Sequence, residues 1–166
     1  MSAKTTVEIQ TLFVDGPVSS AVVNEARQEI AGRADIGAQA QFIGQVRADP
    51  IPPAGSNAEA GANPVTAIEF TAHRELAQSG LEALCGRVAE ETGPDVRIIR
   101  VWHGLGRIAV GQAPIAIIVG SGHRQAGFAC CSAILEALKA EVPIFGREIR
   151  GDGSSVWKTA SGATRL

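Results

Sequence analysis

No apolar run in this chain of 166 residues approaches the ~20 residues that a membrane-spanning helix requires, so no spanning segment is expected. Basic excess is missing too. The formal net charge is -2, which argues against a general nucleic-acid binder, because such a protein must neutralise a phosphate backbone. The opening MSAKTTVEIQ has no apolar core of signal-peptide type. Cysteine is scarce and odd in number: Cys85, Cys130 and Cys131 include no C-x-x-C spacing, and the adjacent pair is poorly placed to bridge to itself. They are expected as small buried hydrophobes in a reducing cytoplasm. The P-loop spacing and the G-x-S-x-G elbow are both absent. His73, His103 and His123 fall on different elements without carboxylates at ligand spacing, so neither a metal site nor a cofactor is expected. There is no internal repeat.

What remains is the composition of an ordinary globular protein. Hydrophobic residues make up 45% and charged residues 19%, enough for one domain over 1–166 with a core that needs no staples. Strands are expected at 6–14, 38–47, 65–73 and 96–104, and a hairpin-like pair at 106–121 turns around Gly111. Helices are expected at 16–32, with Ser19 or Ser20 as N-cap and Gly32 as the stop, at 75–93, and at about 125–140. Two short strands, 144–150 and 154–160, flank the turn signal Gly151-Asp152-Gly153. The stretch 48–64, rich in proline and poor in anything to bury, reads as a mobile surface loop. Runs of strands between single helices give an α+β fold with three helices and a mainly antiparallel sheet.

The third helix carries the most chemistry. At ~100° per residue, Phe128, Leu135 and Lys139 lie within ~20° of one line, beside the stripe of Cys131, Ile134 and Leu138. Lys139 therefore flanks a buried face, where it either snorkels to water or points into a pocket. At the other end, His123 and Arg124 stand where free N–H groups and the macrodipole favour an anion. The plainer alternative has His123 capping the strand end and Arg124 pairing with a surface carboxylate. Arg47 is a third cation, set where a strand hands over to the loop.

Taken together, FIGQVR (42–47), GSGHRQAGF (120–128) and LKAEVPIFGRE (138–148) resemble the MoaE family, the catalytic large subunits of molybdopterin synthase. The resemblance runs over roughly residues 38–160 and implies a MoaE-like fold of the α/β hammerhead type. It implies a sulfurtransferase that makes molybdopterin from cyclic pyranopterin monophosphate by installing the two sulfurs of a dithiolene. The sulfur would arrive as a thiocarboxylate on a ubiquitin-like small subunit of MoaD type, and large subunits would pair as a homodimer within a heterotetramer. Carried over residue by residue, Gln45, Val46, Arg47, His123, Arg124, Lys139, Arg147 and Glu148 would bind substrate, and Lys139 would be the main catalytic residue. One departure stands out. The family's second lysine, in W-K-[KR]-E, falls on Gly146, and its tryptophan on Phe145. Lys158, on the last strand, is a candidate to reach in and compensate, as is Arg147 next door; without compensation the alternative is a paralogue that dimerises and binds its partner without sulfur transfer.

Overall fold

A computed structural model describes residues 6–48 and 63–158; the expected loop 48–64 lies almost wholly outside the described residues. The elements run β1 (Glu8–Asp15), α1 (Ser20–Ala31), β2 (Ala38–Gly44), β3 (Val65–Ala72), α2 (Arg74–Thr92), β4 (Val96–Ala109), β5 (Ile115–Ser121), α3 (Arg124–Glu141), β6 (Ile144–Arg150) and β7 (Ser155–Trp157). The expected helices are all there. Ser19 caps α1 by accepting the Ala21 N–H at 3.2 Å, and Gly32 closes it.

Among the described residues the sheet has seven strands in the order β2-β5-β4-β3-β6-β7, with β1 parallel to β4 and every other pairing antiparallel. The expected break between 104 and 106 is corrected: residues 96–109 form one strand. Gly106, at φ 83°, bends this strand without ending it, a conformation that a residue with a Cβ adopts only at a cost. Before the bend β4 pairs with β1 and β5; after it, residues 106–109 pair with β3. That bend joins two unlike halves of the sheet.

In the first half both faces are covered. Ile115, Ile117 and Val119 of β5 face α2 and α3, packing with Leu81, Leu84 and Ile134. The alternate residues Ala116 and Ile118 face α1, packing with Val23 and Ile30. All three cysteines are free and buried here. Burial pushes the Cys85 thiol up to about 12 and those of Cys130 and Cys131 up to about 11, so they behave as packing groups. In the second half a small cluster of Val46, Val65, Ile68 and Ile108 backs the β3–β6–β7 surface.

Candidate active site

A cavity of about 940 Å³ opens where the end of α3, the segment after β2 and the β3–β6 surface meet. Its floor is apolar, with Phe42, Ile68, Phe70, Ile115 and Leu138 among its lining residues. Its charged rim holds Arg47, Lys139 and Lys158, Glu148 is buried in its wall, and Glu136 and Glu141 are also on the lining.

Each of these groups has a local reason to be there. After β2 ends at Gly44, the chain is clamped to the β4–β5 turn. The Val46 N–H donates to the Gln112 carbonyl at 3.0 Å, and the Gly111 N–H donates to the Val46 carbonyl at 2.9 Å. Val46 is buried, and exposed Arg47 is left at the cavity edge. Lys139 occupies the last turn of α3, where a cation complements the helix dipole. The helix stops at Val142, whose extended backbone is what a residue before proline prefers, and Pro143 cannot continue it. Glu148 is buried on β6, and its carboxylate is 3.0 Å from the Lys158 amine.

Gly146 faces the cavity two residues from Glu148. A Cβ there would lie 3.3 Å from Phe70 Cε1 and 3.4 Å from Ile68 Cγ2, so a side chain at this position requires its neighbours to give way.

The residues expected at the site are only partly brought together. Gln45, Val46, Arg47, Lys139 and Glu148 all line the cavity. Arg147 does not. It alternates to the other face of β6, where it pairs with Glu69 and lies over the Trp157 ring at 5.7 Å. His123 and Arg124 are at the opposite end of α3. At 1.5 Å per residue, the fifteen steps from 124 to 139 span roughly 22 Å. There the His123 N–H donates to the Asp95 carboxylate at 2.7 Å, and its ring Nδ1 is 3.2 Å from both carboxylate oxygens. Desolvation works to raise the Asp95 carboxyl, but the hydrogen bonds and charge from His123 outweigh it and hold the group below the usual carboxylate range. The His123 imidazole remains 88% exposed, so the pair does not close off this helix start.

Two further residues line the cavity. His103 is buried beneath the cavity, edge-on to Phe70 at 5.2 Å, with Nδ1 2.8 Å from the Gly104 carbonyl. A carbonyl only accepts, so Nδ1 carries the proton. Burial pushes this imidazole down to about 4, a neutral ring in ordinary buffer. The other is Lys158. No role was expected for His103; Lys158 was a candidate from the last strand, and the strand pairing sets its direction.

Comparison with known proteins extends this geometry. Residues 17–141 match the family described as "MoaE protein", a stretch that includes Arg47, His123, Arg124 and Lys139 and ends before Gly146. The chain is 36% identical over 94 residues to the molybdopterin synthase catalytic subunit of Bos taurus, covering 57% of this chain and 49% of that protein. Against the Arabidopsis thaliana subunit it is 34% identical over 97 residues, covering 58% and 48%. The chain thus spans about half the length of the curated relatives it matches. Among solved structures, molybdopterin synthase from Staphylococcus aureus superposes with a TM-score of 0.72 at 23% identity, covering 89% of this chain and 95% of that one. A complex of subunits 1 and 2 of molybdopterin-converting factor from Helicobacter pylori gives 0.67 at 17% identity, covering 89% and 88%. The bent β4, the cavity beside the end of α3 and the match over most of the sequence lead to one conclusion: this chain belongs to the MoaE family.

Proposed function

We propose that this protein is the catalytic large subunit of a molybdopterin synthase, moving sulfur from a thiocarboxylated small subunit of MoaD type to cyclic pyranopterin monophosphate. The observation that carries this reading is the meeting of Arg47 and Lys139, from the ends of β2 and α3, on one cavity. An arginine fork suits the phosphate ester of the substrate. In each transfer the thiocarboxylate sulfur forms a carbon–sulfur bond to the pterin side chain as a carbon–oxygen bond at that carbon breaks, its oxygen leaving as a phosphate oxygen or as water. Hydrolysis then breaks the acyl carbon–sulfur bond, leaving the sulfur on the pterin and a carboxylate on the small subunit. Lys139 would supply the proton movements and offset the negative charge that develops, above an apolar floor that limits water.

The separation of the two ends of α3 bears on assembly. A site that uses Arg47, Lys139, His123 and Arg124 together takes the first two from one copy and the last two from a second. This favours the homodimer of a heterotetramer, with one small subunit at each end. Phe128, 67% exposed on α3, and Ile43, 44% exposed on the edge strand β2, are apolar side chains that a second copy would cover.

The alternative is a paralogue that keeps fold and partner binding but not sulfur transfer. It is favoured by Gly146, where the cavity face carries no side chain. Purified protein mixed with thiocarboxylated small subunit and cyclic pyranopterin monophosphate separates the two. Molybdopterin that forms with the wild type and is lost in Lys139→Ala supports the synthase. Absence of product despite co-elution of the two subunits supports the paralogue.

A further inference from the structure

The β6–β7 hairpin pairs Arg147 with Trp157 and Glu148 with Val156, which sets Lys158 directly across from Gly146. The Lys158 N–H donates to the Gly146 carbonyl at 2.8 Å, so the pairing extends through this residue. Directly opposed residues of an antiparallel pair project from the same face. Trp157 and Arg147 meet on one face; Lys158 therefore leaves from the other, where Gly146 and Glu148 line the cavity. Its amine is 3.0 Å from Glu148 Oε1, and the two side chains differ sharply in exposure, 43% for Lys158 and 9% for Glu148. The carboxylate is anchored in the wall and the amine stands at the opening.

An ammonium has three N–H donors, and the contact with Glu148 engages one. The others are available to a ligand that shares the cavity with Arg47 and Lys139. We propose that Lys158 is a substrate-binding residue, held by Glu148 so that its amine donates to the anionic group of the bound substrate. This rests on the reading of the cavity as the site for a phosphate-bearing pterin, and it adds a contact from β7 to that site.

Lys158→Met removes the charge and keeps much of the stem; Lys158→Arg keeps the charge. Equilibrium dialysis against cyclic pyranopterin monophosphate is read beside steady-state turnover and a thermal midpoint. Lys158→Met should weaken binding and raise KM by roughly tenfold to a hundredfold, the scale of one lost charge-assisted contact, with a smaller change in kcat. Lys158→Arg should recover most of the binding. The double variant Lys158→Met/Glu148→Gln removes the unpaired buried carboxylate. If it restores the midpoint but not the binding, Lys158 acts on the substrate; if it restores both, Lys158 is only the counter-ion of Glu148 and the proposal fails. Unchanged binding and KM in Lys158→Met, with an active wild type, also overturns it while leaving the synthase reading intact. A wild type that binds the substrate but gives no product sinks the synthase reading alone, and dialysis of the variants still decides the role of Lys158. A wild type that neither binds nor converts the substrate sinks both.

Discussion

The two halves of the sheet, divided at Gly106, solve different problems. In the half built from β1, β2, β5 and the start of β4, alternate residues are buried on opposite faces and the helices close both sides. The half built from β3, β6, β7 and the end of β4 leaves one surface open, and there it meets the end of α3 and the segment after β2 around a cavity lined by Arg47, Lys139, Lys158 and buried Glu148. The same strand β4 runs through both. The closed layers thus carry the stability, the cavity where the two halves meet carries the chemistry, and a substitution in one should register far less in the other.

The largest contrast to test is between Lys139 and Ile117. Under the proposed function, Lys139→Ala should lower molybdopterin formation by ~10²- to 10⁴-fold, the usual contribution of a positioned proton-transfer group, and shift stability by less than ~0.5 kcal/mol. Ile117→Ala empties a site that is fully buried between layers and should cost ~2–5 kcal/mol in a urea titration. If both variants lose the same stability, the segregation is wrong.

His103 sits under the cavity and gives the contrast a pH dependence. Its folded-state value of about 4 lies below the ordinary 6.5, so between those values the unfolded chain binds a proton that the folded chain refuses. Stability should therefore fall as pH drops from 6.5 toward 4, by at most about 3 kcal/mol from this group. His103→Asn, which can still donate to the Gly104 carbonyl, should flatten that part of the curve. A slope unchanged by the substitution would place the titration elsewhere.

The smallest effect is expected at Arg87, which bonds Glu141 at 2.6 and 2.8 Å on the exposed helix surface. Exposed pairs of this kind contribute little, so Arg87→Ala should leave the urea midpoint within experimental scatter. A clear loss there would mean that α2 and α3 are tied together by charge as well as by packing.

Much of the first half was legible in the sequence because its signals are local. Ser19 and Gly32 bound α1, and the helical spacing of Ala77, Leu81, Leu84 and Val88 matches the buried face of α2. The strand over 96–109 was divided wrongly because Gly106 reads as a break, whereas here a positive φ bends a strand that continues. The cavity was harder to see, since its residues come from segments far apart in sequence. Arg47 and Lys139 stood out by position and Lys158 only as a candidate on the last strand; His103 did not stand out. Even so, the turn centred on Asp152 contained the register that sets Lys158 opposite Gly146. What no local pattern held was distance along α3: its two charged ends looked like one site, and in a single chain they are roughly 22 Å apart.

That distance makes mixed variants the most direct test of the account. Lys139→Ala and Arg124→Ala proteins, each folded and each inactive, are unfolded together, refolded as a mixture and assayed for molybdopterin with thiocarboxylated small subunit. If one working site takes Lys139 from one copy and Arg124 from another, random pairing should restore about a quarter of wild-type activity, because half the dimers are mixed and each has one intact site. No recovery from a mixture shown to contain mixed dimers, beside an active wild type refolded in the same way, would contradict the shared site.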